Sequence, residues 1–181
     1  MNKLKKLFKL HILPISVMLL MFLISCEARG EGYNNSYFHS CEYPDRQTEL
    51  TSLACNVYFE GRGESRAGMN SIAFVTINRA EHERFPQSIT DVVYQPYAFS
   101  WTSDGKSDRV YDLKAWTNSL HIASYVLGIS DLDYKYVDIT DGSLYYHATS
   151  IKPDWACSKN KVLTIDNHVF YHTDLKKHET C

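Results

Sequence analysis

Two carboxylates stand four residues apart in the stretch NVYFEGRGES: Glu60 and Glu64, separated by Gly-Arg-Gly. Cleavage of a glycosidic bond needs a carboxylic acid that keeps its proton near neutral pH until it passes it to the departing oxygen. Partial burial against apolar or aromatic groups achieves this, because the charged form loses hydration and the pKa rises. Glu60 follows Val57, Tyr58 and Phe59 at the end of an apolar run, and the glycines after it let a polymer approach the backbone closely. The same residue types also serve structure. Glu60 can cap or pair locally with Arg62 or Arg66, and Glu64 sits where the first turn of a following helix favours an acid. The two are poorly placed to act as a carboxylate pair. Glycosidases hold their carboxyls about 5 Å or roughly 6.5–9.5 Å apart on opposite sides of the scissile bond. Residues four apart on a helix point the same way.

The element that must present Glu60 is a helix. From Gln47 onward Leu50, Leu53, Ala54, Val57 and Tyr58 recur at helical spacing and form one apolar face. The helix is expected to end at Gly61-Arg62-Gly63, since each interior glycine costs about 1 kcal/mol relative to alanine. A second helix is predicted over 67–80 on a stripe of Met69, Ile72, Ala73, Ile77 and Ala80, and is broken by Pro86. Residues 88–108 read as a short helix or extended piece followed by loops. A third helix is predicted over 113–127 through Trp116, Leu120, Ala123 and Leu127, after which the periodicity weakens. SLYYHATS and KVLTIDNHVFYH are rich in aromatic and β-branched residues, and Ile-Asp-Asn supplies a turn in the second, so a small hairpin or ribbon closes the chain.

The 181 residues suffice for one domain with a hydrophobic core. Residues 1–25 carry four lysines and no acid ahead of an apolar run, the pattern of a secretory signal. That run meets LISC, which resembles a lipobox with Cys26 as the lipidated residue; in the alternative, the apolar segment remains as a membrane anchor. Either reading places the body of the protein outside the cytoplasm, tethered to a membrane in the cell envelope. Residues 26–46 read as the tether and 47–181 as the domain. Without the signal the chain holds 15 basic and 21 acidic residues, a balance unsuited to neutralising nucleic-acid phosphates. Beyond Cys26 four cysteines remain, Cys41, Cys55, Cys157 and Cys181, enough for two disulfides with the three pairings open. No C-x-x-C spacing suggests zinc. His168 and His172 lie in an extended-looking stretch that separates them by about 13 Å, too far to share one ion. No metal or organic cofactor is expected, and a monomer is.

The blocks LACNVYFEGRGES, AGMNSIAFVTINR, FPQSITDVVYQPYAFSW and DGSLYYHATSIKPDWACSKNKVLTIDNHVFY, taken in order from about Leu50 to Tyr171, resemble the SleB-type cell-wall hydrolase family known from spore-cortex-lytic enzymes. The resemblance implies a compact, mainly helical α+β fold similar to lysozymes of the lytic transglycosylase type. It also implies cleavage of peptidoglycan between N-acetylmuramic acid and N-acetylglucosamine. The family's catalytic glutamate is the first of an E-A-R-G-E motif, here Glu60 in EGRGE, with Gly61 in place of the usual alanine. A single carboxyl then serves as acid and as base, and the muramyl 6-hydroxyl closes a 1,6-anhydro ring without water. Other groups must hold the glycan and steady positive charge at the anomeric centre. The candidates are Glu64, Gln95, Ser100, Trp101, Tyr145, Tyr146 and His147. Core packing is the competing role for the aromatics. One of the two adjacent tyrosines is expected to face the core, since neighbours on a strand point to opposite sides. The alternative activity is a hydrolytic muramidase, and a binding lipoprotein without turnover is the reading from a different class.

Overall fold

The computed structural model describes residues 37–129 and 131–174. Helix α1 (Glu49–Gly61) starts at a capping box: Thr48 Oγ1 accepts from Thr51 N at 3.2 Å, and Thr51 Oγ1 accepts from Thr48 N at 2.8 Å. It buries Leu53, Ala54, Val57 and Tyr58, while Leu50, at its outer end, stays exposed. The chain leaves the helix through extended Arg62 and then Gly63 at φ 104°, a conformation that side chains rarely adopt. Gly61 lies within the last turn. A Cβ there would come within 3.1 Å of Ile72 Cδ1, so this glycine allows a close approach of the next helix instead of loosening the backbone.

Helix α2 (Arg66–Glu81) is capped by Ser65, whose Oγ accepts from Gly68 N. It is buried almost all round over Ser71–Arg79, wider than the single apolar stripe in the sequence, because it runs through the centre of the core. Its polar residues are satisfied inside: Thr76 Oγ1 donates to Ile72 O, and Asn78 Nδ2 donates to Asp138 Oδ2 and Ser143 O. Helix α3 (Ile89–Val93) is one short turn, and α4 (Leu113–Leu127) spans the predicted residues. The buried face of α4 is Trp116, Ser119, Ile122, Ala123 and Val126, rotated from the predicted stripe so that Leu127 is exposed. A further short helix, α5 (Asp131–Val137), falls where the periodicity faded.

Two small antiparallel sheets complete the fold. Strands β1 (His39–Ser40) and β2 (Arg109–Val110) pair with His39 opposite Val110. Strands β3 (Tyr145–Ala148), β4 (Lys159–Ile165) and β5 (His168–Asp174) form a sheet in the order β3-β5-β4. The expected hairpin is β4–β5, with Ile165 opposite His168 across Asp166-Asn167, and the tyrosine-rich segment adds the third strand. The main core joins α1 to α4, and a smaller cluster of Tyr145, Ala156, Val169 and Tyr171 lies against the sheet.

The compact unit begins at Tyr37, ahead of the sequence boundary at 47. Cys41 is fully buried and disulfide-bonded to Cys55 in α1, so residues 37–46 are part of the folded body and not of the tether. The covalent link explains why a polar segment without apolar periodicity still packs. Cys157 is likewise disulfide-bonded. The signal segment and Cys26 lie outside the described residues. Among the described residues no helix is long and apolar enough to cross a membrane.

Candidate active site

Glu60 sits in the last turn of α1, half-buried. The local pairings open to it in the sequence are not made. Arg62 turns back, its Nη1 donating to Tyr58 Oη at 3.1 Å with the guanidinium 5.1 Å from that ring. Tyr146 on β3 reaches Glu60 instead, its hydroxyl donating to Oε2 at 3.1 Å. Burial pushes the Glu60 carboxyl above its ordinary range; the Tyr146 hydrogen bond and the charge of Arg79 pull the other way without cancelling it. The Tyr146 phenol is itself held well above its usual range by burial and by the neighbouring Glu60, so it remains a donor.

Arg79, at the end of α2, is buried at 7% exposure and donates from Nε to Leu144 O at 2.7 Å. Its guanidinium carbon lies 5.0 Å from the Phe99 ring centre and 5.5 Å from that of Phe85. The Phe99 ring in turn lies 6.3 Å from Tyr146. A cation thus stands one ring away from the acid and its hydrogen-bond partner. Below them, Asn56 occupies the same helical face as Glu60, one turn earlier. Asn56 donates to Thr76 Oγ1 and accepts from Trp101 Nε1, both at 3.0 Å. Sequence reasoning passed over Arg79 and Asn56. The available signal was a polar residue inside each of two apolar helical patterns, Asn56 among LACNVYF and Arg79 closing FVTINR.

The named candidates separate by position. Glu64 is engaged with the β4–β5 turn: its Oε2 accepts from Asn167 N and its Oε1 from Asn167 Nδ2, each at 3.2 Å, and Ser65 N donates to Asp166 Oδ2 at 2.8 Å. These bonds fasten the loop after the acid to the β4–β5 turn. His168 lies edge-on to Tyr146 at 5.3 Å, with its buried Nδ1 3.7 Å from Glu64 Oε1 and without a hydrogen-bond partner. Trp101 is buried, stacked on Phe59 at 4.7 Å and bonded to Asn56, and so braces the helix end from within. Ser100 is exposed and Gln95 half-buried on the loop before it. His147 and Tyr145 point to the side of β3 opposite Tyr146. His147 is buried there, with Nε2 2.9 Å from Tyr171 Oη and Nδ1 2.9 Å from Ala148 O, and it stacks on the Tyr171 ring. Tyr145 lies beside Phe85, Trp155 and Lys159. Strand alternation therefore assigns Tyr146 alone of this trio to Glu60.

Among the described residues, one group of potential metal ligands comes together: His39, Cys41 and Cys55. Its two sulfurs are joined to each other, so neither is the thiolate that binds a metal. The site's chemistry is that of one acid of raised pKa, a phenol donor on its carboxylate and a nearby buried cation, set where the chain exits the core.

The chain is similar in sequence and in fold to known cell-wall enzymes. Spore cortex-lytic enzyme from Bacillus cereus is 26% identical over 125 residues, 68% of this chain and 44% of that protein. The enzyme of the same name from Bacillus subtilis is 29% identical over 124 residues, 67% of this chain and 37% of that protein. The chain thus spans less than half the length of these curated relatives. The solved catalytic domain of the germination-specific lytic transglycosylase SleB from Bacillus anthracis superposes with a TM-score of 0.54 at 25% identity, covering 71% of this chain and 99% of that domain. The catalytic domain of the Bacillus cereus SleB protein gives 0.52 at 23% identity, covering 74% and 98%. The expected compact, lysozyme-like α+β fold is borne out. The family described as Cell Wall Hydrolase matches residues 63–171, a span that opens just beyond Glu60 and takes in Arg79, Tyr146 and the β3-β5-β4 sheet as far as Tyr171 of β5. The chain belongs to the cell wall hydrolase family.

Proposed function

We propose that this protein cleaves peptidoglycan glycan strands between N-acetylmuramic acid and N-acetylglucosamine as a lytic transglycosylase, with Glu60 as acid and then base. The observation that carries the reading is a half-buried glutamate of raised pKa at the end of α1, with Tyr146 donating to one of its oxygens. Protonated Glu60 gives its proton to the glycosidic oxygen as the bond to the anomeric carbon breaks. The carboxylate left behind accepts the proton of the muramyl 6-hydroxyl as that oxygen closes on the anomeric carbon, and the 1,6-anhydro ring forms. No second carboxylate is needed, which fits the commitment of Glu64 to the β4–β5 turn. Tyr146 keeps one carboxylate oxygen oriented, and Arg79 lowers the cost of the negative charge between the two steps.

The N-terminal signal pattern and LISC support export and a membrane tether through Cys26, which places the domain beside this substrate. The test is digestion of purified sacculi with mass spectrometry of the products. Anhydro-muramyl ends from the wild type and a fall of at least about 100-fold for Glu60→Gln are expected, the range general acid–base groups supply. Reducing ends would instead establish a hydrolytic muramidase. A folded Glu60→Gln protein that still clears sacculi would remove Glu60 from the catalytic role. Retention on sacculi without turnover by the wild type would identify a binding lipoprotein.

A further inference from the structure

Tyr97 occupies a place that neither packing nor turn chemistry explains. Ala98 N donates to Gln95 O at 3.0 Å, closing a four-residue turn with Pro96 and Tyr97 at its centre. Proline fixes a negative φ at the first central position, and Tyr97 stands at φ 65°, so the turn is type II. The second central position of such a turn calls for glycine or asparagine, and a bulky residue there is a genuine outlier. Tyr97 nevertheless holds it, 93% exposed and with no hydrogen bond or ring contact to a described residue.

Both ends of the turn are anchored. On one side Tyr94 donates from its hydroxyl to Cys41 O at 2.9 Å. On the other, Phe99 is 3% exposed and its ring faces Tyr146, the partner of Glu60. Two residues of chain, roughly 7 Å, join Tyr97 to Phe99. A strained backbone position that adds nothing to the core, held on rigid supports beside an active centre, is where strain serves binding. The exposed ring offers a flat apolar body with a polar tip, the surface that suits the C–H face and hydroxyl rim of a hexopyranose.

We propose that Tyr97 is a stacking platform for a sugar of the glycan strand flanking the scissile bond. This rests on the glycan-cleaving reading of the Glu60 site. The test compares Tyr97→Ala, Tyr97→Gly and Tyr97→Trp in the full chain on long solubilised glycan strands. Alanine and glycine are expected to raise KM by about tenfold, the scale of one aromatic contact, with kcat held within about twofold, and tryptophan to restore KM. The glycine variant also relieves the positive φ, so it is expected to unfold at the same or a higher temperature than wild type while binding worse, an outcome that misfolding does not produce. An active wild type with unchanged KM in the alanine and glycine variants would overturn the proposal. Sacculus retention in a Glu60→Gln background separates the two readings. If Glu60→Gln keeps turnover, the acid assignment fails; if adding Tyr97→Ala leaves retention unchanged, the platform fails.

Discussion

At the scale of single residues, the proposed mechanism asks Glu60 to hold a proton at the start of the reaction and to survive as an anion in the middle of it. Burial secures the first condition, while Tyr146 and Arg79 limit the cost of the second. Tyr146→Phe removes a hydrogen bond that favours the carboxylate. The pKa of Glu60 then climbs further, and the alkaline limb of kcat/KM, set by loss of the acid form, moves to higher pH. A rate loss of roughly 10- to 100-fold accompanies the shift, the range for a hydrogen bond to a charged group. A pH–rate profile whose limb stays in place would show that the phenol does not tune the acid. The same shift has a sign in stability. The folded-state pKa lies above the unfolded value of about 4.5, so the stability linked to this proton is present below that pH and lost as pH rises through the raised pKa. Glu60→Gln is therefore expected to melt higher than wild type at neutral pH, with the gap closing toward pH 4. As a candidate, Glu60 was legible in the sequence, because it closes an apolar helical pattern and EGRGE resembles the family's motif. Tyr146 and His147 were not separable there, since only the pairing of β3 with β5 sets which alternate residues face α1.

At the scale of elements, the site depends on how the end of α1 is tied to the β4–β5 turn. Glu64 accepts from Asn167 and Asp166 accepts from Ser65, so the loop after the acid and the hairpin turn hold each other from opposite directions. These contacts bridge more than a hundred positions of sequence, and no local pattern could announce them. The helical pattern read most directly where one face is buried, as in α4, whereas α1 is buried throughout Ser52–Tyr58. The stripe was too narrow for α2, which is enclosed on nearly all sides, and no pattern marked α5, which is too short to show a period. Gly68 is the point of closest approach in the clamp: a Cβ there would stand 2.5 Å from Asp166 Oδ2 and 3.0 Å from Glu64 Cβ. Gly68→Ala is favourable for helix propensity yet must push the turn away, so a net loss of about 1–3 kcal/mol is expected, as for overpacked sites. Denaturant titration checks the sign. A gain in stability would mean that the turn yields freely and that the clamp does not hold the loop.

At the scale of the whole molecule, the N-terminal segment joins the folded body through chemistry that depends on its surroundings. Cys41 and Cys55 are 14 residues apart in sequence, and their bond ties residues before α1 to the middle of the helix that carries Glu60. The same segment receives Tyr94 on the carbonyl of Cys41, which anchors one end of the turn bearing Tyr97. Closing a loop of this size stabilises a fold by about 3 kcal/mol in the chain-entropy account, a large part of the 5–15 kcal/mol typical of a domain. A disulfide of this kind forms and persists in an oxidising compartment, which accords with the proposed export. The double variant Cys41→Ala, Cys55→Ala removes the bond without leaving a free thiol and spares Cys157. It is expected to lose about 2–4 kcal/mol in a guanidinium titration and to raise KM more than it lowers kcat, since the turn at Tyr97 loses its support before Glu60 does. A variant as stable as wild type would place residues 37–46 on the surface as a dispensable strap, and loss of kcat alone would show that the bond serves the acid and not the turn.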